Sequence, residues 1–413
     1  DSQNVTIVIN GTNDIPIITS TVTDARGSVI ESGTVAGTAT TTGNLTSSDV
    51  DSGATKIWTL DATSGTYGNI IIDSSTGKWT YALDDTKAAT KALQTGDKKT
   101  ETFIATITDD KGAIAQQTII VEVNGTNDAP VLTTPTTITY IDTSANDTFA
   151  ETTGTLISSD DDAGDTKVFS ITDQTADTTQ SGFTHSKLGT YGTLYLNALN
   201  GAYKYIPNDA AINALIADTS ETFSFTVTDA FGASSTQTLT INLTGANDTP
   251  TISVKANDSD AKSLYETNSS LVTEGTLSIE DLDLLNTVSA SVISCTDVTA
   301  LNMLTLNANP ILNASQTSNT LTWTFNSGSE HFNYLSQGQT KTLVYTIRVN
   351  DGTATADKTV TITILGTNDA PSITVEAGDA TSATLTETNA TLSASDTITI
   401  NEVEPNDTVS ASV

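Results

Sequence analysis

The sequence predicts an all-β chain: a series of tandem β-sandwich domains joined end to end. Three observations carry this. Short runs of alternating Val, Ile and Thr recur throughout, as in Thr118-Ile119-Ile120-Val121-Glu122-Val123, the period of a strand with one face buried. A joint motif recurs at Asn10–Pro16, Asn124–Pro130, Thr244–Pro250 and Leu365–Pro371, reading NGTNDIP, NGTNDAP, TGANDTP and LGTNDAP. Its Asp residues, Asp14, Asp128, Asp248 and Asp369, are 114, 120 and 121 residues apart, the size of one compact domain. Aromatic residues also repeat in register: Trp79, Tyr203 and Trp323 share one slot, and Tyr81, Tyr205 and Phe325 lie two residues on. Positions two apart share a strand face, so these are expected in the core.

The repeat divides the chain into 1–14, the last strand of a preceding repeat; 15–127, 128–247 and 248–368, three sandwich repeats; and 369–413, the opening of a fourth. The two end fragments lack the middle of the fold, which points to a segment of a longer array. At each joint a strand ends, Gly permits a bend, Asn and Asp offer side-chain oxygens, and Pro starts the next strand where no ladder donor is needed.

Within the first repeat the order is Ile17-Ile18, Glu31, the loop Asp49-Val50-Asp51-Ser52-Gly53, and a strand from Ile57 to Leu60. A hairpin follows from Gly65-Thr66-Tyr67-Gly68 to Trp79 and Tyr81. Ala88, Ala89, Ala92 and Leu93 then stand at helical spacing before Gly96, predicting one short helix. Two strands close the repeat on either side of Asp109-Asp110-Lys111-Gly112. The second repeat keeps this order, with Asp160-Asp161-Asp162, Gly189-Thr190-Tyr191-Gly192, a helical patch at Ala210–Ala217, and Asp229. The third keeps Asp281-Leu282-Asp283 and Asp351 but has lost the Gly-Thr-Tyr-Gly element. The fourth opening aligns with it, Glu402 and Glu404 replacing the Asp pair.

Formal charge is −33, from 49 acidic and 16 basic residues. That excludes a basic nucleic-acid footprint and attraction to anionic membrane surfaces, and suits a solvated extracellular protein or a cation binder. Cys295 alone cannot make an internal disulfide framework, so something else must hold the joints. No apolar run is long enough to cross a membrane as a helix.

Acidic elements recur in each repeat: an early Glu (Glu31, Glu151, and Glu266 or Glu274), the Asp-x-Asp loop, an Asp after the hairpin (Asp84 or Asp85, Asp209), and the late-loop Asp. With the joint residues Asn13, Asp14, Asn127, Asp128, Asn247, Asp248, Asn368 and Asp369 they exceed the six to eight oxygens a Ca²⁺ takes. Loops at one end of a sandwich converge in space. Such a cluster repels itself unless a divalent cation reverses the sign of the interaction. The expected Ca²⁺ ligands are therefore Asp49, Asp51 and Asp109 at the first joint; Glu31, Asp84, Asp85, Asp160, Asp162 and Asp229 at the second; Glu151, Asp209, Asp281, Asp283 and Asp351 at the third; and Glu402 and Glu404 at the last.

The order Gly-x-Leu-Thr-x-x-Asp-x-Asp, Gly-Thr-Tyr-Gly, Thr-Gly-x-Trp-x-Tyr and the joint Gly-Thr-Asn-Asp-Ala-Pro resembles the bacterial repeat family named for Vibrio, Colwellia, Bradyrhizobium and Shewanella (VCBS). Those repeats occur in very large surface adhesins, including calcium-dependent RTX adhesins exported by type I secretion. The same order resembles cadherin repeats, which bind calcium between domains. On that resemblance Asp49 and Asp51 fall on the first cadherin motif, Leu83-Asp84-Asp85 on the second with Asp for Glu, Asp109 on the third, and Asn127-Asp128-Ala129-Pro130 on a linker one residue shorter. Asn326-Ser327-Gly328 leaves no acid at the second motif, so the last joint is expected to hold fewer ions. The resemblance implies a cadherin-like or immunoglobulin-like fold.

Chemistry for catalysis is sparse. His185 and His331 stand in different repeats without a Cys partner, and no phosphate loop or nucleophile elbow occurs, so no enzyme is expected. The expected function is a calcium-stiffened stalk that projects a binding domain or forms a cell-surface or biofilm fibre. Its partners would be neighbouring repeats and other copies, not nucleic acid. Two alternatives are a carbohydrate-binding accessory region, with Tyr265, His331 or Tyr334 as the exposed aromatic platform, and a self-assembling surface filament.

Overall fold

The computed structural model describes residues 2–412. Asp1 and Val413, the outer ends of the two expected fragments, lie outside the described residues. Strands dominate, and the helical elements are short, one or two turns each. Two compact units are present: one comprises residues up to 138 with 150–207 and 221–241, the other 139–149, 208–220 and 242 onward.

The first repeat, in the first unit, is a two-sheet sandwich. One sheet runs Arg26–Ile30, Ile114–Asn124, Lys98–Asp109, Lys56–Leu60, with its first pair parallel and the rest antiparallel. The other runs Thr40–Asn44, Lys78–Leu83, Gly68–Ile72, all antiparallel. Alternation places Phe103, Ala105 and Ile107 with Ile119, Val121 and Val123 on the inner face of the first sheet, against Ile70, Trp79 and Tyr81 of the second. The Trp79 indole has room because Gly43 is its cross-strand partner: a Cβ there would overlap the ring. The parallel pairing delivers the chain to Glu31 beside the last strand, where the Glu31 amide donates to Asn124 O at 3.0 Å. That registers an early acid at the joint end of the sandwich.

Also in the first unit, the second repeat forms the sheet Thr152–Thr155, Ala202–Pro207, Gly192–Leu196, His185–Leu188, Thr175–Ala176. Tyr203 on it packs at a tilt against Phe225, and Tyr205 packs edge-on against Phe223. In the second unit, the third repeat rebuilds the sandwich from Thr251–Ser253, Val272–Glu280, Ser318–Asn326, Leu304–Leu306 and from Ala261–Tyr265, Thr355–Leu365, Thr340–Asn350, Ser289–Cys295. The first strand of that second sheet is again parallel to its neighbour. Every in-register aromatic is buried. The predicted short helices are the single turns Ala88–Lys91 and Asp209–Ile212. In the stretch 1–14, expected as the last strand of a preceding repeat, the described residues 2–14 carry no regular element, and Val5, Ile7, Val8 and Ile9 are exposed. The fourth opening contributes one ribbon, Ser372–Thr374 with Thr399–Asn401. Among the described residues no helix is long and apolar enough to cross a membrane.

The Gly-Thr-Tyr-Gly element wraps a Tyr–Glu pair of side chains, buried in the first repeat and partly buried in the second. Glu101 accepts from the Tyr81 hydroxyl and, at 3.0 Å, from the Tyr67 amide. Glu221 accepts likewise from the Tyr205 hydroxyl and from the Thr190 amide at 2.9 Å. A Cβ at Gly65 or Gly189 would overlap that carboxyl group, and one at Gly68 or Gly192 would overlap the tyrosine hydroxyl. The two glycines are thus the condition for the loop closing on the pair.

Candidate cation sites at the joints

Two hydrogen bonds recur at all four joints and a third at the first three of them. The Asp-x-Asp loop folds on itself when the second Asp amide donates to the first carboxylate: Asp51 to Asp49 at 3.0 Å, Asp162 to Asp160 at 3.2 Å, Asp283 to Asp281 at 3.0 Å, and Glu404 to Glu402 at 3.1 Å. The joint Asp amide then donates to the second carboxylate: Asp14 to Asp51, Asp128 to Asp162 and Asp248 to Asp283 at 2.8 Å, and Asp369 to Glu404 at 3.0 Å. The joint Asn closes the third side. Its Nδ2 donates to the late-loop carboxylate, Asn13 to Asp109 and Asn127 to Asp229 at 2.8 Å, and Asn247 to Asp351 at 2.9 Å. The other oxygen of each late-loop Asp is held by its own turn amides, such as Phe231 and Ala233 on Asp229. Such Asx turns explain why Asp recurs at these places.

From the preceding repeat comes the early acid. Glu31 accepts from the Thr126 amide at 3.3 Å, and Glu266 from the Thr367 amide at 2.8 Å. In the second repeat this slot belongs to Asp142, which accepts from the Ala246 amide at 3.2 Å. Glu151, the sequence candidate, is exposed and pairs with Lys204 at 3.3 Å, apart from the joint. Glu274, the other candidate in the third repeat, is exposed within the strand Val272–Glu280. Of Asp84 and Asp85, Asp84 caps its own turn at Thr86, whereas Asp85 keeps a buried oxygen without a donor. Asp209 accepts from the Phe149 amide at 3.1 Å, and Asn368 reaches only the Asp369 carbonyl, at 3.1 Å.

What these bonds leave over is informative. At the joint 127–130, Asp85 Oδ1, Asn127 Oδ1, Asp160 Oδ2, Asp162 Oδ1 and Asp165 Oδ2 are buried with no hydrogen-bond partner. At the joint 247–250 the same holds for Asp142 Oδ1, Asp248 Oδ2, Asp281 Oδ2 and Asp283 Oδ1, and at the next for Glu266 Oε2, Asp369 Oδ2 and Glu404 Oε1. Asp49 Oδ2 is the counterpart at the first joint. Buried acceptors are normally paired, and a buried carboxylate oxygen without a donor is costly. Burial accordingly pushes several of these acids up: Glu31 to about 7, helped by the charges of Asp128, Asp162 and Asp85, and Asp162 to about 6. Asp248 rises to about 7 and Asp283 to about 6 for the same reason. Asp109, bonded by Asn13, is instead held below the usual carboxylate range.

The donor set is all oxygen, without His or Cys, which suits a hard cation such as Ca²⁺. Asp160, Asp165 and Asp229 each bring an oxygen within 4.8 Å of the other two. Among the described residues no lysine forms an ion pair with these three carboxylates: Lys91 pairs with Asp161 at 2.6 Å with both side chains about half exposed, and Lys167 acts on Asp160 through its charge alone. The sequence pattern does not single out Asp142 or Asp165. The second had a signal, since the fifth position after the first acid reads Ala54, Asp165, Asn286 and Asp407 in successive repeats.

Residues 127–245, the second repeat, match the family model described as bacterial cadherin-like domain. Among solved structures the chain is similar to the protocadherin GammaB4 extracellular domain, at 17% identity and a TM-score of 0.39, covering 89% of this chain and 52% of that one. It is also similar to mouse cadherin-23 EC22-24 (14% identity, TM-score 0.37, covering 86% and 99%) and to Drosophila N-cadherin EC1-4 (13%, 0.30, covering 86% and 76%). The chain spans about half the length of the protocadherin ectodomain. No curated protein sequence matches it.

Proposed function

We propose that these cadherin-like repeats are a calcium-stiffened stalk segment of a giant extracellular bacterial adhesin. The stalk would project a terminal binding domain or form a cell-surface fibre, in a protein of the RTX type exported by type I secretion. The observation that carries the reading is the set of buried, donorless carboxylate oxygens gathered at the three later joints by the same hydrogen bonds. Glu31, Asp85, Asn127, Asp128, Asp160 and Asp162 would hold a cation at one joint, and Asp142, Asn247, Asp248, Asp281 and Asp283 at the next. A bound cation supplies the positive charge that turns mutual repulsion of these groups into shared attraction. Each joint segment then behaves as a fixed link instead of a short flexible linker. Extracellular modules bind Ca²⁺ with dissociation constants on the order of 10⁻⁴–10⁻³ M, so calcium levels outside cells keep such joints loaded.

The in-register aromatics are buried, whereas Tyr265 and Tyr334, the out-of-register candidates of the carbohydrate-binding alternative, are exposed. Small-angle scattering of the chain with Ca²⁺ and then with a chelator tests the proposal. The maximum dimension should become less well defined and the flexibility larger when the cation is withdrawn. Identical curves would overturn it.

A further inference from the structure

The joints 127–130 and 247–250 differ at several positions, and we infer that one of them, the fifth after the first acid of the Asp-x-Asp loop, ranks the joints in cation affinity: the joint 127–130 carries a cation pocket at Asp160, Asp165 and Asp229 that the joint 247–250 has weakened. The inference rests on the calcium reading above and adds to it an order of loading.

In the first of these joints, oxygens of Asp160, Asp165 and Asp229 lie mutually within 4.8 Å, a span that bonds of 2.3–2.6 Å to one Ca²⁺ bridge. An acidic cluster alone would not make a site, but a neutral side chain points to the same place. Asn127 is only 4% exposed, and its Nδ2 is committed to Asp229 at 2.8 Å. Its Oδ1 is thereby set beside the cluster, buried and without any donor. Asp165 has a local task as well, its Oδ1 accepting from the Thr166 amide at 2.7 Å; its Oδ2 is left buried and unpaired. Two acceptors on different elements, one of them uncharged, therefore lack the same missing partner.

In the other joint the corresponding residues are Asp281, Asn286, Asp351 and Asn247. Asn286 donates its amide to Asn247 Oδ1 and to Asp283 Oδ2, both at 3.3 Å. The oxygen that is free in the first joint is occupied here, and one negative charge is gone. Ligand charge count and pre-organisation are what tune calcium sites over decades of affinity. Asp147 adds charge near Asp248 in this second joint, but from the preceding repeat's loop, where its Oδ2 accepts from the Thr143 amide at 2.7 Å. It therefore does not replace Asp165. As calcium rises, the joint 127–130 sets before the joint 247–250.

Hydrogen–deuterium exchange of the full chain, titrated with Ca²⁺ and read on peptides covering 158–167 and 279–288, separates the joints. The first peptide should gain protection at a Ca²⁺ concentration on the order of tenfold lower than the second. Asp165→Asn should raise the midpoint at 158–167 to near that of 279–288 and leave the latter in place. Asn286→Asp should lower the midpoint at 279–288. Coincident midpoints that neither substitution moves would overturn the ranking while leaving the calcium reading standing. Absence of any Ca²⁺-dependent protection at either peptide would overturn both.

Discussion

The first two repeats and the third solve the same packing problem with different chemistry. In the first two, a Tyr–Glu pair lies inside the sandwich under a loop bracketed by two glycines. In the third, Phe325 stands in the Tyr81 slot and Leu343 in the Glu101 slot, both fully buried, and the loop is gone. The polar handle moves one slot along, to Tyr345, whose hydroxyl donates to Ala300 O at 3.0 Å in the turn Val298–Met303. The lesson concerns covariation within one chain. A buried hydroxyl and a buried carboxyl satisfy each other and the loop amides, so losing one favours losing all. Drift in the third repeat is therefore a coordinated exchange of a polar network for apolar contact, not decay.

Substitutions can break or sharpen that contrast. The indole slot is common to both solutions, so Trp79→Ala and Trp323→Ala should each cost about 3–5 kcal/mol in urea unfolding with Ca²⁺ present. A cost confined to one of them would show that the indole slot does not play the same packing part in the two cores. Tyr81→Phe alone should cost about 1.5–3 kcal/mol, because Glu101 loses its hydroxyl donor. Adding Glu101→Leu should then cost less than the two single changes together, with coupling of about 0.5–3 kcal/mol. Strict additivity would contradict the network. Phe325→Tyr should destabilise the third repeat by about 1–3 kcal/mol, since no acid waits at Leu343.

Proton binding sharpens the same division. Glu31, Asp162, Asp248 and Asp283 are raised in the folded chain to about 6–7, above the carboxylate range they have when unfolded. The folded state then binds more protons between about pH 4 and pH 7, so cation-free stability should fall as pH rises through that window. Thermal unfolding after removal of calcium should show this loss, and Ca²⁺ at pH 7 should restore the midpoint. A flat profile would contradict the buried-acid geometry. The smallest expected effect separates neighbours: Asp84→Ala should loosen only its own turn and leave the calcium midpoint alone, whereas Asp85→Ala should shift that midpoint.

Much of this was legible in the sequence because it is local. The joint motif, the Asp-x-Asp turn and the period-two aromatics each depend on residues a few positions apart. The early acid of the second repeat was not. Glu151 matches the pattern by type, but the slot is defined by pairing with a strand about a hundred residues away, and Asp142 holds it by bonding to the Ala246 amide. Asp84 and Asp85 could not be separated without knowing which one the turn consumes. Asp165 lies beyond Gly164, outside the motif, and only the fold brings it to Asp229.

Crystals grown with Ca²⁺ and measured for anomalous scattering test the central claim most directly. The account predicts anomalous peaks 2.3–2.6 Å from the unpaired oxygens of Asp162 and Asp283, with the Asp128 and Asp248 amides still clamped to the same carboxylates. Water or a lysine ammonium in those positions, with the loops drawn apart, would contradict it.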